Sequence, residues 1–172
     1  MDGETLVREF HGRVRGYVRM RVPEEDCEDV IGDIFLRAIE RLAELRGEPA
    51  PWLFAVARSQ VAQYYRGREV EMRAVSEVRS SGTAASGRGL APLERLEQAE
   101  FRALLGRKMN QVLSETERDA LALKFSEGLD NLQIAALLGM PPNRLGVVLH
   151  RALGRLRAAM LEEVSDVVPG RV

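Results

Sequence analysis

Residues 76–92, SEVRSSGTAASGRGLAP, have no apolar period, and they fall between two blocks whose apolar residues recur at helical spacing. A chain interrupted in this way is not expected to build one continuous core. It predicts two small helical domains, residues 1–75 and 93–172, joined by a flexible Ser/Gly/Ala-rich linker at 76–92. Each block exceeds the roughly 40 residues that even small folding units need. With 45% apolar and 30% charged residues the chain has the balance of a soluble globular protein. Strand signals are nearly absent, so the expected fold class is all-α.

In the first block Val7, Phe10, Val14 and Tyr17 recur along one face, and Arg13, Arg15, Arg19 and Arg21 load the other. Pro23 closes that helix. From Glu24 to Leu45 the positions Cys27, Ile31, Ile34, Phe35, Ala38, Leu42 and Leu45 repeat every three or four residues, which predicts one long amphipathic helix of about six turns. Its acidic start, Glu24-Glu25-Asp26, suits the positive end of a helix dipole. Gly47-Glu48-Pro49-Ala50-Pro51 breaks the pattern, and a third helix is expected from Trp52 to about Arg68, with Pro51 in its first turn.

The second block opens with a helix over Leu93, Leu96, Phe101, Leu104, Leu105 and Val112. Two helix starts follow. Ser114-Glu115-Thr116-Glu117 has the form of a capping box, and Asp130-Asn131-Leu132-Gln133 is its Asp-capped relative, placed just after Gly128, which is suited to ending the preceding helix. Ile134, Leu137 and Leu138 then face inward, Ala135 permits a close helix crossing, and Gly139 suits a left-handed turn. In the next helix, beginning near Pro142, the buried stripe is expected at Leu145, Leu149, Ala152, Leu153 and Leu156, with Val148 at its edge. The opposite arc holds Asn143, Arg144, Val147, His150, Arg151 and Arg155. Residues 131–161 contain four arginines and no carboxylate, although the whole chain has a net charge of only −1. That is the outline of a helix-turn-helix; an ordinary helical hairpin with a solvated basic face has the same spacing.

No catalytic constellation is present. The chain lacks the G-x-S-x-G elbow, the phosphate-binding loop and the dinucleotide glycine pattern. Cys27 falls on an apolar stripe, as a packed thiol does, and a single cysteine forms no internal disulfide. Two distant histidines give no metal-ligand spacing, so neither a metal nor a cofactor is expected. The acidic start Met1-Asp2-Gly3-Glu4 is unlike a secretory signal, and no apolar run matches a bilayer. A cytoplasmic protein without a membrane span is the expectation, and the dozen residues after Met160 leave no room for an added regulatory domain.

Taken in order across the linker, the blocks resemble the extracytoplasmic-function sigma factors, which direct bacterial RNA polymerase to promoters. DVIGDIFLRAIERL (Asp29 to Leu42) looks like that family's core-binding segment, and WLFAVARSQVAQYYRGR (Trp52 to Arg68) like its promoter-melting and minus-ten segment. LSETERDALALKFSEGLDNLQIAALLG followed by LHRALGRLR resembles its minus-thirty-five domain.

The resemblance implies an alternative sigma factor, not an enzyme. Its partners would be core RNA polymerase (the clamp helices of the largest subunit, and the flap), promoter DNA, and an anti-sigma protein. It assigns Asp29, Asp33, Arg37, Glu40 and Arg41 to the polymerase. By themselves those charges fit a solvated helix face equally well. Trp52, Arg58, Ser59, Gln63, Arg66 and Arg68 are assigned to minus-ten recognition and melting. Arginines interleaved with aromatics suit an opened strand, though Trp52 near a helix start is better placed as a core anchor. Asn143, Arg144, Val147, His150, Arg151 and Arg155 are assigned to the upstream element, with Val147 toward a thymine methyl and Arg155 toward phosphate. The chain departs from the family at Gly32, Ser59 and Gln63, and it shortens the stretch before Trp52 to Pro49-Ala50-Pro51, so no minus-ten preference is implied. Other readings are a helix-turn-helix regulator without polymerase function and a helical protein-interaction module.

Overall fold

The computed structural model describes residues 1–74, 92–125 and 129–167, with side chains over 1–70, 97–125 and 129–163. Every regular element among these residues is helical. The linker up to residue 91 and Gly128 lie outside the described residues.

Helix α1 (Gly3–Arg21) starts on Asp2, whose carboxylate accepts the Thr5 N–H at 2.8 Å. It buries Leu6, Phe10, Val14, Tyr17 and Val18. The single helix expected from Glu24 to Leu45 is shorter. Glu24–Asp26 forms a 3-10 turn, α2 spans Cys27–Glu40, and a second 3-10 turn covers Leu42–Glu44. The tightening after Glu40 is pinned by Arg41, which forms an ion pair with Glu44 at 2.6 Å, and Leu42 still packs against the core. Gly47, at φ 76°, takes the left-handed conformation and turns the chain toward the next helix. Helix α3 (Pro49–Ala74) begins earlier than expected, with Pro49 and Pro51 both in the first turn, where a missing N–H breaks no ladder bond. Leu53, Phe54, Val56, Ala57 and Val61 fill the space between α1 and α2.

In the second half α4 (Pro92–Val112) leads to α5 (Glu115–Phe125), α6 (Asn131–Leu137) and α7 (Pro142–Val167). Both capping boxes form. The Ser114 N–H donates to Glu117 at 2.9 Å, and Gln133 and Asp130 exchange backbone-to-side-chain bonds of 2.8 and 3.0 Å. Gly139, at φ 64°, ends the turn after α6, and α7 leaves α6 at 91°. This is the angle of a helix-turn-helix. Ile134, Ala135, Leu145, Leu149 and Ala152 join Leu121 and Leu123 in the core.

Leu153, expected in the buried stripe, is 44% exposed. At 100° per residue it lies about 80° from Leu145, outside the arc that Val148 and Leu149 bound. Ala159 is buried further along instead.

The two halves are in contact. Helix α5 lies along α1, and α6 approaches α3. Arg21, expected on the solvated side of α1, is therefore 4% exposed beneath α5. No single helix among the described residues is long and apolar enough to cross a membrane.

Candidate nucleic-acid and polymerase interfaces

Three surfaces place the candidate residues. On α2 the side chains of Asp29, Asp33, Arg37 and Glu40 are exposed, and Arg41 is half-buried at the helix end. Arg37 pairs with Glu40 at 3.1 Å, which leaves Asp29 and Asp33 as the outward negative charges of this face. Between the charges stand Leu36, 61% exposed, and Ile39, 45% exposed. Sequence reasoning missed both. They fall outside the core stripe, and an apolar residue on a charged arc was the available signal.

An open groove between α2 and α3 brings Asp33, Leu36, Arg37, Glu40 and Arg41 together with Ser59 and Gln63. Four of the five residues assigned to polymerase, all but Asp29, and two of those assigned to the minus-ten element thus line a single surface. Trp52 is half-buried and packs on the core, as an anchor does. Arg66 and Arg68 are exposed further along α3. Arg68 reaches back to Asp26 at 2.7 Å and lies over the Tyr64 ring, with its guanidinium carbon 5.6 Å from the centroid. Burial, reinforced by the hydrogen bond to Asp26, pushes the Tyr64 hydroxyl up to about 12.

Arg58 is placed differently from its neighbours on α3. Its Nε donates to Asp119 Oδ2 at 3.1 Å and its Nη1 to the Leu137 carbonyl, so it faces the second half of the molecule. Asp119, 6% exposed, also accepts from the Tyr17 hydroxyl at 2.9 Å and from Arg21 Nε at 2.8 Å. Burial acts against the Arg21 charge, but the Asp119 carboxylate offsets it and the pKa moves up. Burial, aided by the same carboxylate, pushes the Tyr17 phenol upward as well. No sequence pattern linked position 119 to positions 17, 21 and 58.

On α7 the outward row is as the period predicts: Asn143, Arg144, Val147, His150, Arg151 and Arg155 are all exposed, Val147 by 48%. Val148 is half-buried against the core. Arg155 reaches Glu117, the capping carboxylate of α5, so this cation already has a partner within its own half. Cys27 is buried, lies 3.3 Å from the Pro23 carbonyl, and has its thiol pushed up to about 12 by burial and by Glu24. That is the state of a packed thiol. Among the described residues no group of His, Cys, Asp and Glu is arranged to hold a metal ion.

A helical pair bordering a charged groove thus precedes a helix-turn-helix with a basic outer row. The sigma-70 region 2 family matches residues 6–70. The ECF RNA polymerase sigma-E factor of Escherichia coli K12 is 27% identical over 175 aligned residues, covering 95% of this chain and 86% of that protein. The probable RNA polymerase sigma factor RfaY of Xanthomonas campestris pv. campestris is 29% identical over 147 residues, covering 83% of this chain and 36% of that protein. The fold is shared with the sigma factor RpoE solved with the anti-sigma factor NepR from Bartonella quintana. That match has a TM-score of 0.65 at 20% identity and covers 91% of this chain and 95% of that one. CnrH in complex with the cytosolic domain of CnrY matches at a TM-score of 0.64 and 22% identity, over 92% and 86%. Together these similarities support the extracytoplasmic-function sigma factor family and the function of an alternative sigma factor.

Proposed function

We propose that the protein engages core RNA polymerase through the face of α2 and reads a two-part promoter, with α3 toward the minus-ten element and α7 toward the minus-thirty-five element. The observation that supports this most is the outer row of α7. Asn143 and Arg144 stand at its N-terminal end, where a recognition helix meets base edges, and His150 and Arg151 follow one turn on. Arginine suits the paired acceptors of guanine, asparagine those of adenine, and the Val147 methyls suit the thymine methyl. Arg155, partnered by Glu117, then orients α7 on α5 in addition to facing the phosphates.

On α3, Ser59, Gln63 and Arg66 offer a hydroxyl, an amide and a cation along one exposed edge, and Trp52 holds the start of the helix in place. On α2, Leu36 and Ile39 give the polymerase clamp an apolar centre within the ring formed by Asp29, Asp33, Arg37, Glu40 and Arg41. The flap is read as the partner of the second domain. The bond-making chemistry of transcription belongs to the polymerase.

We also read an anti-sigma protein as a partner. A groove of about 290 Å³ between the halves, lined by Met20, Val22, Tyr65, Glu24, Glu25 and Arg107 among others, offers an apolar floor with charges of both signs around it. A chain acting with polymerase works in the cytosol.

Run-off transcription with purified core polymerase, on templates drawn from a random library, tests the reading. Start sites sharing a two-part upstream motif are the expected result. Core binding without promoter selection would sink the DNA-reading half of the proposal.

A further inference from the structure

The cluster around Asp119 has an unusual composition for a contact between two domains. Two guanidiniums and a phenol from the first half converge on one carboxylate from the second, with donor distances of 2.8, 2.9 and 3.1 Å. Arg21 is 4% exposed, and its Nη1 is buried with no hydrogen-bond partner. Its other terminal nitrogen is 4.0 Å from Glu115. The donors of Tyr17, Arg21 and Arg58 thus outnumber what Asp119 accepts. A buried guanidinium with donors to spare fits an anion of more oxygens than a carboxylate has.

We propose that Tyr17, Arg21 and Arg58 form a binding site for a backbone phosphate of opened DNA, and that Asp119 occupies this site in cis when the two halves are closed. The assignment rests on reading α3 as the face for the opened strand. Arg58 lies on that helix, one residue before Ser59 and five before Gln63, on the side turned toward the second half, so a phosphate held here would lie at the flank of the strand whose bases those side chains meet. A tetrahedral phosphate takes the Tyr17 hydroxyl, the Arg58 Nε and both free edges of Arg21. Asp119 leaves Arg21 Nη1 unsatisfied. Closure and strand binding are therefore mutually exclusive, and each competes for the same donors. Because the closed contact is buried, salt screens it less than it screens strand binding.

The full chain tests this with two readouts: energy transfer between dyes on exposed positions of α2 and α7, and anisotropy of a fluorescein-labelled 12-nucleotide single strand. Asp119→Asn should separate the dyes and tighten strand binding about tenfold, because the fraction of chains that are open no longer limits the apparent affinity. Adding Arg21→Gln should remove that gain while leaving the dyes apart, with the thermal transition of each variant confirming a folded chain. The charge reversal Asp119→Lys should open the chain even if the neutral variant does not.

Separation without tighter binding would overturn the proposal, as would a gain that survives Arg21→Gln or closure that survives Asp119→Lys. Arg21-dependent binding of a poly-glutamate peptide as tight as that of the strand would assign the site to a protein carboxylate and overturn it too. Promoter-dependent transcription by the wild-type holoenzyme keeps the two readings apart. If transcription is intact while strand binding ignores Arg21, only the phosphate site fails; if it is absent, the reading of α3 fails and the phosphate site falls with it.

Discussion

Asp33 on α2 and Gln63 on α3 line the same open groove. A polymerase subunit seated on α2 would therefore border the strand lying on α3, and a substitution on either wall is felt by both partners. Asp33→Arg should leave folding within about 0.5 kcal/mol of wild type, as exposed changes usually do, and weaken core binding. Equilibrium denaturation and a core-binding titration, run side by side, measure the two effects. Equal losses in both would show that Asp33 serves the fold.

Leu36→Ala is the apolar counterpart. The side chain is 61% exposed, so its truncation opens no cavity in the free protein. Core affinity should fall by about 1 kcal/mol or more if Leu36 enters a desolvated centre of the interface. Unchanged affinity would leave polymerase binding to the charges alone.

On α7, Arg151→Ala should lower affinity for the upstream element by about 1–3 kcal/mol if the guanidinium reads a base, and should flatten the salt dependence if it holds a phosphate. Val147→Ser should relax a thymine preference without loss of fold, since the side chain is 48% exposed. Binding measured on duplexes with each base at the variable position distinguishes these outcomes. If neither substitution alters binding, this row does not read DNA.

Glu117→Ala removes both the α5 capping bond and the partner of Arg155, and should cost about 1–2 kcal/mol. Arg155→Ala removes only a half-exposed pair and should cost about 0.5 kcal/mol. Urea denaturation gives both values. A larger loss for Arg155 than for Glu117 would reverse the order of importance.

Cys27 gives a pH-dependent prediction. Burial raises its pKa from 9.0 to about 12, so the native chain favours the neutral thiol. Its contribution to stability is whole below pH 9, and is lost as pH rises from there toward 12, because the unfolded chain ionises first. At a given pH below 9 the native thiolate is about a thousandfold scarcer than in the unfolded chain. Iodoacetamide labelling should follow unfolding; rapid labelling of the folded chain at neutral pH would contradict the buried thiol.

Much of this was legible from residues alone. The periods placed Leu145, Leu149 and Ala152 inside and the row from Asn143 to Arg155 outside, because a helix face needs only local spacing. Both capping boxes were readable because each is a four-residue pattern. The end of α2 was not, since an apolar repeat continues through Leu42 although the backbone tightens there. Leu153 was misplaced because an arc's edge depends on how wide a neighbour it meets. The meeting of Arg21 and Arg58 with Asp119 was invisible: it joins positions 98 and 61 residues apart. Only the way α5 settles on α1 brings them together.

Glu117 and Asp119 sit two residues apart in the first turns of α5, one tied to Arg155 within its own half and the other to Arg21 and Arg58 across the molecule. A short piece of helix thus bears on two things at once: how firmly α7 is seated on α5, and how the two halves meet. Substitutions in this turn are therefore expected to alter both at once. A screen for variants with altered promoter choice should accordingly recover second-site changes in α1 and α3, far from any base.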